Sequence, residues 1–537
     1  MKNYLVRAGQ SPFDMFGIEE VITRNSIGGN SGNLLYAQSV FRTLMVGEDT
    51  NLVPNYYRYA PLSPARVNEH FDAFIIPLAD AFRPNYPELI NMTEFIERLT
   101  IPCVVIGVGL RAPFDYTPGR HFDFDDDVKR FVKAVLKRSA KIGVRGEITS
   151  AYLSSLGFKE GQDHTVIGCP SMYTFGRELQ VKDVPQSYDA HVCVNATVTS
   201  NITRANNFIF KEARKFADYH FLPQLHSEYV LNYAGMRYKH KKTGYYPDSL
   251  MSAEMREGRI LTFNNARAWS DFTSTVDFSF GGRLHGNIGA LLGGTPGLLF
   301  TKDARTRELA DYHQLPSIPE VAIEEDASIF DYIEKADFST YKKIHPENFD
   351  RYTHFLDENG LDHIYNHGFE RGSAPFDIKM ERIYSPDPTP NACAFNEVDI
   401  SARMEKVVEN EYKQAPVKAR AVAMAYGLKR YSSKEIEFAE KILATQEKLA
   451  NLQGQFEILR QRYQDHLKKG IATDAEVEEM GVVADQLIAE KKKISDTYPE
   501  IMPSTKLFFR IIAFRGIIAR KKAALDFARE TFNRKAR

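Results

Sequence analysis

The stretch SFGGRLHGNIGALLGGTPGLLF, residues 279–300, runs from a short apolar segment through a glycine pair into small, apolar residues. A second glycine pair then leads to another apolar run. Strand, tight turn, helix and strand in that order form the repeating unit of a parallel α/β sheet. Sheets of this kind bind ligands outside the carboxyl ends of their strands, and here that position carries Arg283 and His285. The planar guanidinium of Arg283 suits a phosphate or carboxylate, because its fork makes two parallel hydrogen bonds. An imidazole beside it is able to exchange a proton near neutral pH.

The same alternation extends outward from Asn33 to about Leu315. AFIIPL (73–78), CVVIGVG (103–109), KIGVR (141–145), HVCVN (191–195), RILTF (259–263) and PGLLF (296–300) read as strands. LLYAQSVFRTL after Asn33, PELINMTEFIERL after Tyr86, DDDVKRFVKAVLKR from Asp125 and ARKFADY after Glu212 read as helices. The series is interrupted by the polar segment GRELQVKDVPQS, 176–187, which contains Pro185. The expected class is therefore α/β, with two doubly wound Rossmann-like domains facing a cleft, residues 1–180 and 188–335. A weakly patterned connecting region, 336–402, and a helical tail, 403–537, follow.

Within the tail, Leu449, Leu452, Phe456, Leu459 and Tyr463 recur at three- and four-residue spacing. After the breaker KKGIAT come Val477, Met480, Ala484, Leu487 and Ile494, a pattern that predicts an antiparallel helical hairpin for local packing or for a homo-oligomer contact. The final segment, 506–537, holds ten basic and two acidic residues, with Phe508, Ile511, Ile512 and Ile518 near helical spacing. That is the pattern of a basic amphipathic helix able to touch an anionic membrane surface.

With 537 residues, 43% hydrophobic and 26% charged, the chain is outside the disordered, collagen-like and integral-membrane classes. Its 69 basic and 70 acidic residues exclude nucleic-acid binding by bulk charge, although the balance divides into about −9 over residues 1–400 and about +8 over 401–537. Cys103, Cys169, Cys193 and Cys393 form no CxxC pair, so a reducing compartment is expected and no disulfide framework or structural zinc site. The start MKNYLVRAGQ lacks the apolar core of a signal peptide, and the longest apolar stretch, 288–300, falls short of the ~20 residues of a spanning helix. A cytoplasmic protein is expected. The acidic run Asp123–Asp127 precedes a helix, whose dipole favours carboxylates there, and it lacks Ca²⁺-ligand spacing, so no metal is expected.

Two further groups stand where ligands bind. The loop SIGGNSGNLLYAQS, 26–39, leads glycine-rich chain with Asn30 and Asn33 into a helix, whose amino end offers N–H groups to an anion or sugar. It is neither a dinucleotide fingerprint nor a P-loop. Gly109 and Arg111, Arg145, and Lys302 with Arg305 fall at strand ends, and cations converging in an acidic body make an anion site.

In order, GNSGNLLYAQS, IGVGLR, GVRGEITSAYLSSLGF, GCPSMY, GGRLHGNIGALLGGTP and TKDARTRELADYHQL resemble the polysaccharide pyruvyl transferase family over roughly residues 20–320. The Arg283-Leu284-His285 triplet in its glycine-rich junction is the most specific element. The resemblance implies a glycosyltransferase-B type fold and transfer of a pyruvyl group from phosphoenolpyruvate to two sugar hydroxyls, leaving a cyclic ketal. It implies work on exopolysaccharide or capsule, with the first domain on the acceptor side and the second on the phosphoenolpyruvate side. Carried over by motif, Arg283, Leu284 and His285 belong to the donor site, His285 as the acid or base, and Arg145 is an anion contact. Asn30, Asn33, Gly109, Arg111 and Lys302 complete the expected substrate-binding set. Asn33 stands where many members have Asp, which implies a sugar-positioning amide rather than a carboxylate base. Phosphoenolpyruvate is the donor substrate in this scheme, with no cofactor or metal required, and a lipid-linked acceptor sugar at the inner face of the membrane is compatible with it. The alternative is a nucleotide-sugar-dependent glycosyltransferase of the same fold. Such an enzyme usually needs an acidic residue near the second domain's Gly-Pro strand to hold the ribose. Only Asp303 and Glu308 stand there, among several cations, which favours a small dianion.

Overall fold

The computed structural model describes residues 2–57, 63–198, 203–235, 244–383, 387–389, 391–394, 403 and scattered positions from 459 to 489. The chain divides into two compact units, Met1–Met404 and Glu405–Arg537.

The first unit is built on parallel sheets. Strands β1 (Lys2–Val6), β2 (Thr50–Pro54), β3 (Ala73–Pro77) and β4 (Cys103–Ile106) pair in the order β2-β1-β3-β4. A parallel bridge between Val108 and Val144 continues the series to β5 (Ile142–Val144), which pairs with β6 (His164–Val166). Strands β7 (His191–Asn195), β8 (Asp218–Phe221), β9 (Phe278–Gly281), β10 (Gly297–Thr301) and β11 (Ser317–Pro319) form the second sheet, ordered β11-β10-β9-β7-β8. In both sheets the chain goes first to one side and then crosses back, so each has a switch point, at β1/β3 and at β7/β9. The expected pair of doubly wound domains is present, and 176–187 between the sheets contains no helix or strand.

Every residue of β3 and β4 is buried, because helices cover both faces of the sheet. Such strands appear as unbroken apolar runs rather than as alternation. The second core gathers Val192, Val194, Phe208, Phe221, Phe280 and Phe300. Asp125, Asp126 and Asp127 occupy the first turn of the helix Asp125–Leu136, where the helix dipole favours them.

Two expected elements take another form. RILTF makes no ladder: Ile260 and Thr262 form single bridges to Phe221 and Thr389. The helix expected at ARKFADY is instead Thr203–Ala213. Past it, pairing with β7 captures Asp218–Phe221 as β8, burying Tyr219 and Phe221 while leaving Asp218 and His220 half-buried. In the weakly patterned 336–402 region lies a 19-residue helix, Thr340–Glu358. Its buried His345 and Asn348 blur the apolar stripe, and Tyr352 stacks on Tyr173 at 4.8 Å to hold it to the first domain.

Among the described residues, no helix is long and apolar enough to cross a membrane. The basic segment 506–537 and most of the hairpin's apolar seam lie outside the described residues; of the seam, Leu459 is described and buried.

Candidate active site

The second sheet's switch point is shaped by Asn195, at the end of β7, and by Gly281, at the end of β9. Gly281 has φ +146°, and a Cβ there would lie 1.7 Å from the Asn195 carbonyl oxygen, so the position requires glycine. The Asn195 Oδ1 accepts the Arg283 backbone N–H at 2.7 Å, which fixes the turn into the helix Leu284–Leu292. Arg283 Nε donates to the Ala196 carbonyl at 2.9 Å, and its Nη2 lies 3.5 Å from Glu228 Oε1. Leu284 is buried at the helix start.

His285 spans the interval between the two domains. Its Nε2 lies 3.9 Å from Cys169 Sγ, and its ring meets Tyr36 edge-on with centroids 6.4 Å apart. Gly32, which opens the helix Gly32–Leu44, packs so closely that a Cβ there would come within 2.5 Å of His285 Nδ1. The glycine-rich loop thus makes room for the imidazole. Burial, reinforced by Arg145 and Arg305, holds the His285 pKa well below the usual histidine range, so the ring is neutral at physiological pH.

Arg145, just past β5, has no solvent exposure. Its Nε donates to the Gly107 carbonyl at 2.7 Å, and the guanidinium carbon lies 5.0 Å from the centre of the Tyr36 ring. Neither terminal nitrogen, Nη1 or Nη2, has a hydrogen-bond partner among the described residues. Gly109 lets the side chain pass, since a Cβ there would sit 3.2 Å from Arg145 Cδ.

Acidic groups around this cation are already engaged. Glu308 accepts the Thr149 backbone N–H at 2.9 Å, and burial pushes its carboxyl up to about 7. Burial alone would also raise Asp80, but Arg305, Arg111 and Arg83 hold its carboxyl down at about 2. Arg305 and Arg83 both lie 3.5 Å from Asp80 Oδ2, and Arg111 is hydrogen-bonded to it. Lys302 is pushed down to about 7 by burial and by the nearby charge of Arg283. Glu228, 3.5 Å from Arg283, and Asp303, 3.7 Å from Arg305, offset part of this positive charge.

The charge of Arg145 acts on His285 and that of Arg283 on Lys302, and Arg305 acts on both His285 and Lys302, so it is the common neighbour of the two pairs. Arg111 has a half-exposed side chain paired with Asp80. Asn30 Oδ1 accepts the Gly32 N–H at 2.8 Å and Asn33 Nδ2 donates to the Ile27 carbonyl at 2.9 Å, so both amides brace the loop. Sequence reasoning did not single out Tyr36, Asp80, Cys169 or Glu308 as site residues. Asp80 had a usable signal, since it follows strand β3 on the ligand-facing edge.

A family model described as polysaccharide pyruvyl transferase matches residues 42–303. No curated protein matches the chain. Among solved structures, a functionally uncharacterized protein of Klebsiella pneumoniae subsp. pneumoniae NTUH-K2044 is similar at 13% identity, over 59% of this chain and 92% of its own, with a TM-score of 0.34. The UDP-GlcNAc 2-epimerase of Methanocaldococcus jannaschii, in complex with UDP-GlcNAc and UDP, is similar at 10% identity over 66% of this chain and 99% of its own, with a TM-score of 0.37. The S. aureus MnaA–UDP structure is similar at 12% identity over 72% and 99%, with a TM-score of 0.32.

Proposed function

Residues 42–303 belong to the polysaccharide pyruvyl transferase family, and from that membership we propose that this transferase moves a pyruvyl group from phosphoenolpyruvate to two hydroxyls of a sugar, in a polysaccharide or its precursor, forming a cyclic ketal. The observation that carries the donor assignment is the Arg145 guanidinium, fully buried with two terminal nitrogens lacking acceptors. Tyr36 and the charge of Asp80 favour the charged form of Arg145, but buried N–H donors left without acceptors are costly, and a bound phosphate or carboxylate supplies the missing acceptors. Phosphoenolpyruvate carries one of each, which Arg145, Arg283 and Lys302 together have the charge to hold.

His285 begins neutral and so begins as a base. It relays the proton of the first sugar hydroxyl to the methylene carbon as that oxygen bonds to C2 of the donor, the π electrons of the enol forming the new C–H bond. The net result is addition of O–H across the enol double bond. The C2–O bond to phosphate then breaks, phosphate leaves with the electron pair, and the second hydroxyl bonds to C2. The proton of that hydroxyl passes to the departing phosphate. Cations at the leaving group stabilise its growing charge in a site already organised for it.

The engagement of nearby carboxylates weighs against a nucleotide-sugar donor. Asp303 Oδ1 caps the helix Ala304–His313 by accepting the Thr306 N–H at 2.8 Å, and Glu308 is held by Thr149.

The test is phosphate release from phosphoenolpyruvate in the presence of simple galactosides, glucosides, mannosides and N-acetylhexosaminides. His285→Ala is expected to lose roughly 10²–10⁴-fold in rate. Equal rates for the variant and the wild type would end the role given to His285. Calorimetric binding of a nucleoside diphosphate but not of phosphoenolpyruvate would replace the donor.

A further inference from the structure

A second group of chemically capable side chains lies at the other end of the second sheet. His191 and Asp218 are the first residues of β7 and β8, at the amino edge, whereas the cleft lies at the carboxyl edge. The parallel register pairs His191 with Asp218 and Cys193 with His220. Side chains two residues apart on a strand share a face, so His191, Asp218 and His220 all project to one side. Val192, Val194, Tyr219 and Phe221 project to the other and enter the core. Phe272, from the helix Ala266–Ser274, stands over the pair of imidazoles, with ring centroids 6.0 Å from His191 and 5.5 Å from His220.

Three ligand atoms, one from each residue, lie within 4.8 Å of one another. His191 Nε2 is 3.1 Å from His220 Nδ1 and 3.6 Å from Asp218 Oδ2. In a tetrahedral zinc site with bonds of ~2.0–2.1 Å, neighbouring ligand atoms stand roughly 3.3 Å apart. The two separations bracket that edge, so small side-chain rotations would place a metal between them. We propose that His191, Asp218 and His220 form a binding site for a divalent transition metal of the Zn²⁺ class, with water completing the coordination.

The surroundings fit that role. The His191 backbone is clamped to Asp277, whose Oδ2 accepts its N–H at 2.9 Å and whose own N–H donates to its carbonyl at 2.7 Å. Arg259 is bonded to Asp218 Oδ1, which leaves Oδ2 turned toward His191. An outer partner of this kind orients a ligating carboxylate. The guanidinium charge opposes a nearby cation, but Glu257 lies 3.9 Å from Arg259 Nε and offsets part of it. Asp218 is 46% exposed, which gives metal and water a path in.

The experiment uses the full chain stripped with chelator, titrated with Zn²⁺ by calorimetry and with Co²⁺ by visible absorption. One equivalent of Co²⁺ with tetrahedral bands, displaced by Zn²⁺, is expected for the wild type. His191→Gln and His220→Gln should each weaken Zn²⁺ binding at least about tenfold, the lower end of what disturbing even an outer partner costs. Zn²⁺ should raise the thermal unfolding midpoint of the wild type and leave that of the double variant unmoved, because only the native state assembles the site. All four cysteines remain in that variant, so a difference reports on the histidines and not on thiols. Equal affinity and stoichiometry in the wild type and the double variant, or no Zn²⁺ binding by the wild type, would overturn the proposal.

Discussion

Replacing Arg145 with Met separates an anion anchor from a structural cation. Met preserves much of the unbranched stem and removes the charge. In the unliganded protein the guanidinium is fully buried, with both terminal nitrogens lacking acceptors. The lost Nε bond leaves the Gly107 carbonyl to the Tyr36 hydroxyl at 3.0 Å, a single donor that also faces the Leu78 and Ile106 carbonyls at 2.6 Å. The contact over the Tyr36 ring, desolvated here, is worth about 2 kcal/mol or more, against the several kcal/mol that burying a charge costs. Arg145→Met is therefore expected to stay close to the wild type in stability without ligand. Binding should behave in the opposite way. Removing one partner of a buried, hydrogen-bonded charge pair costs about 2–5 kcal/mol, which at about 1.4 kcal/mol per tenfold is a Kd for phosphoenolpyruvate raised roughly 30-fold to several-thousand-fold. Calorimetric titration with phosphoenolpyruvate and urea unfolding without it supply the two quantities. A variant that binds within fivefold of the wild type but unfolds at distinctly lower urea would refute the reasoning and make Arg145 a structural residue.

Lys302, at about 7 in the free protein, should regain full charge when a dianion arrives. Binding at pH 8 is then accompanied by proton uptake, visible as a dependence of the calorimetric enthalpy on buffer ionisation; loss of that dependence in Lys302→Met is the expected control. Asp80 has its carboxyl lowered from 3.8 to about 2, so its ionised form contributes about 2 kcal/mol of stability that is fully present above about pH 4 and lost as pH falls through about 2. Asp80→Asn, which like the protonated acid carries no charge, should cost about 2 kcal/mol at neutral pH, and its stability, measured by urea midpoints, should fall less steeply than that of the wild type across that acid window. In Gly32→Ala the new Cβ would stand 2.5 Å from His285 Nδ1, so the ring must move. A stability loss of about 1–3 kcal/mol is expected, with phosphoenolpyruvate binding within a few-fold and phosphate release reduced at least about tenfold by the displaced base; unaltered release would separate His285 position from turnover.

The legible parts of this protein were those that depend on near neighbours in the chain. Runs such as AFIIPL and CVVIGVG became β3 and β4, since a strand buried on both faces needs continuous apolar residues. RILTF has the same composition but stops at isolated bridges, because a strand also needs a neighbour in register, and composition does not carry that information. The helix Thr340–Glu358 was obscured for the converse reason. Buried polar residues on its inner face make sense only against the packing they join.

At the site, residues 279–300 alone put a guanidinium and an imidazole at a strand–helix junction, since that junction closes within a few residues. The chain's order of motifs likewise brought Arg145 and Lys302 to strand ends. Only the tertiary structure decided what those groups are. His285 is a neutral imidazole because Cys169, Tyr36 and Gly32 enclose it from distant parts of the chain. The terminal nitrogens of Arg145 go unmatched although Asp80 and Glu308 feel its charge, because Asp80 is shared among three other arginines and Glu308 is bound to Thr149. His191, Asp218 and His220 become a cluster through the β7–β8 register. Charge state and availability for hydrogen bonding are properties of everything packed around a group, and packing between segments a hundred residues apart is set by the closed core.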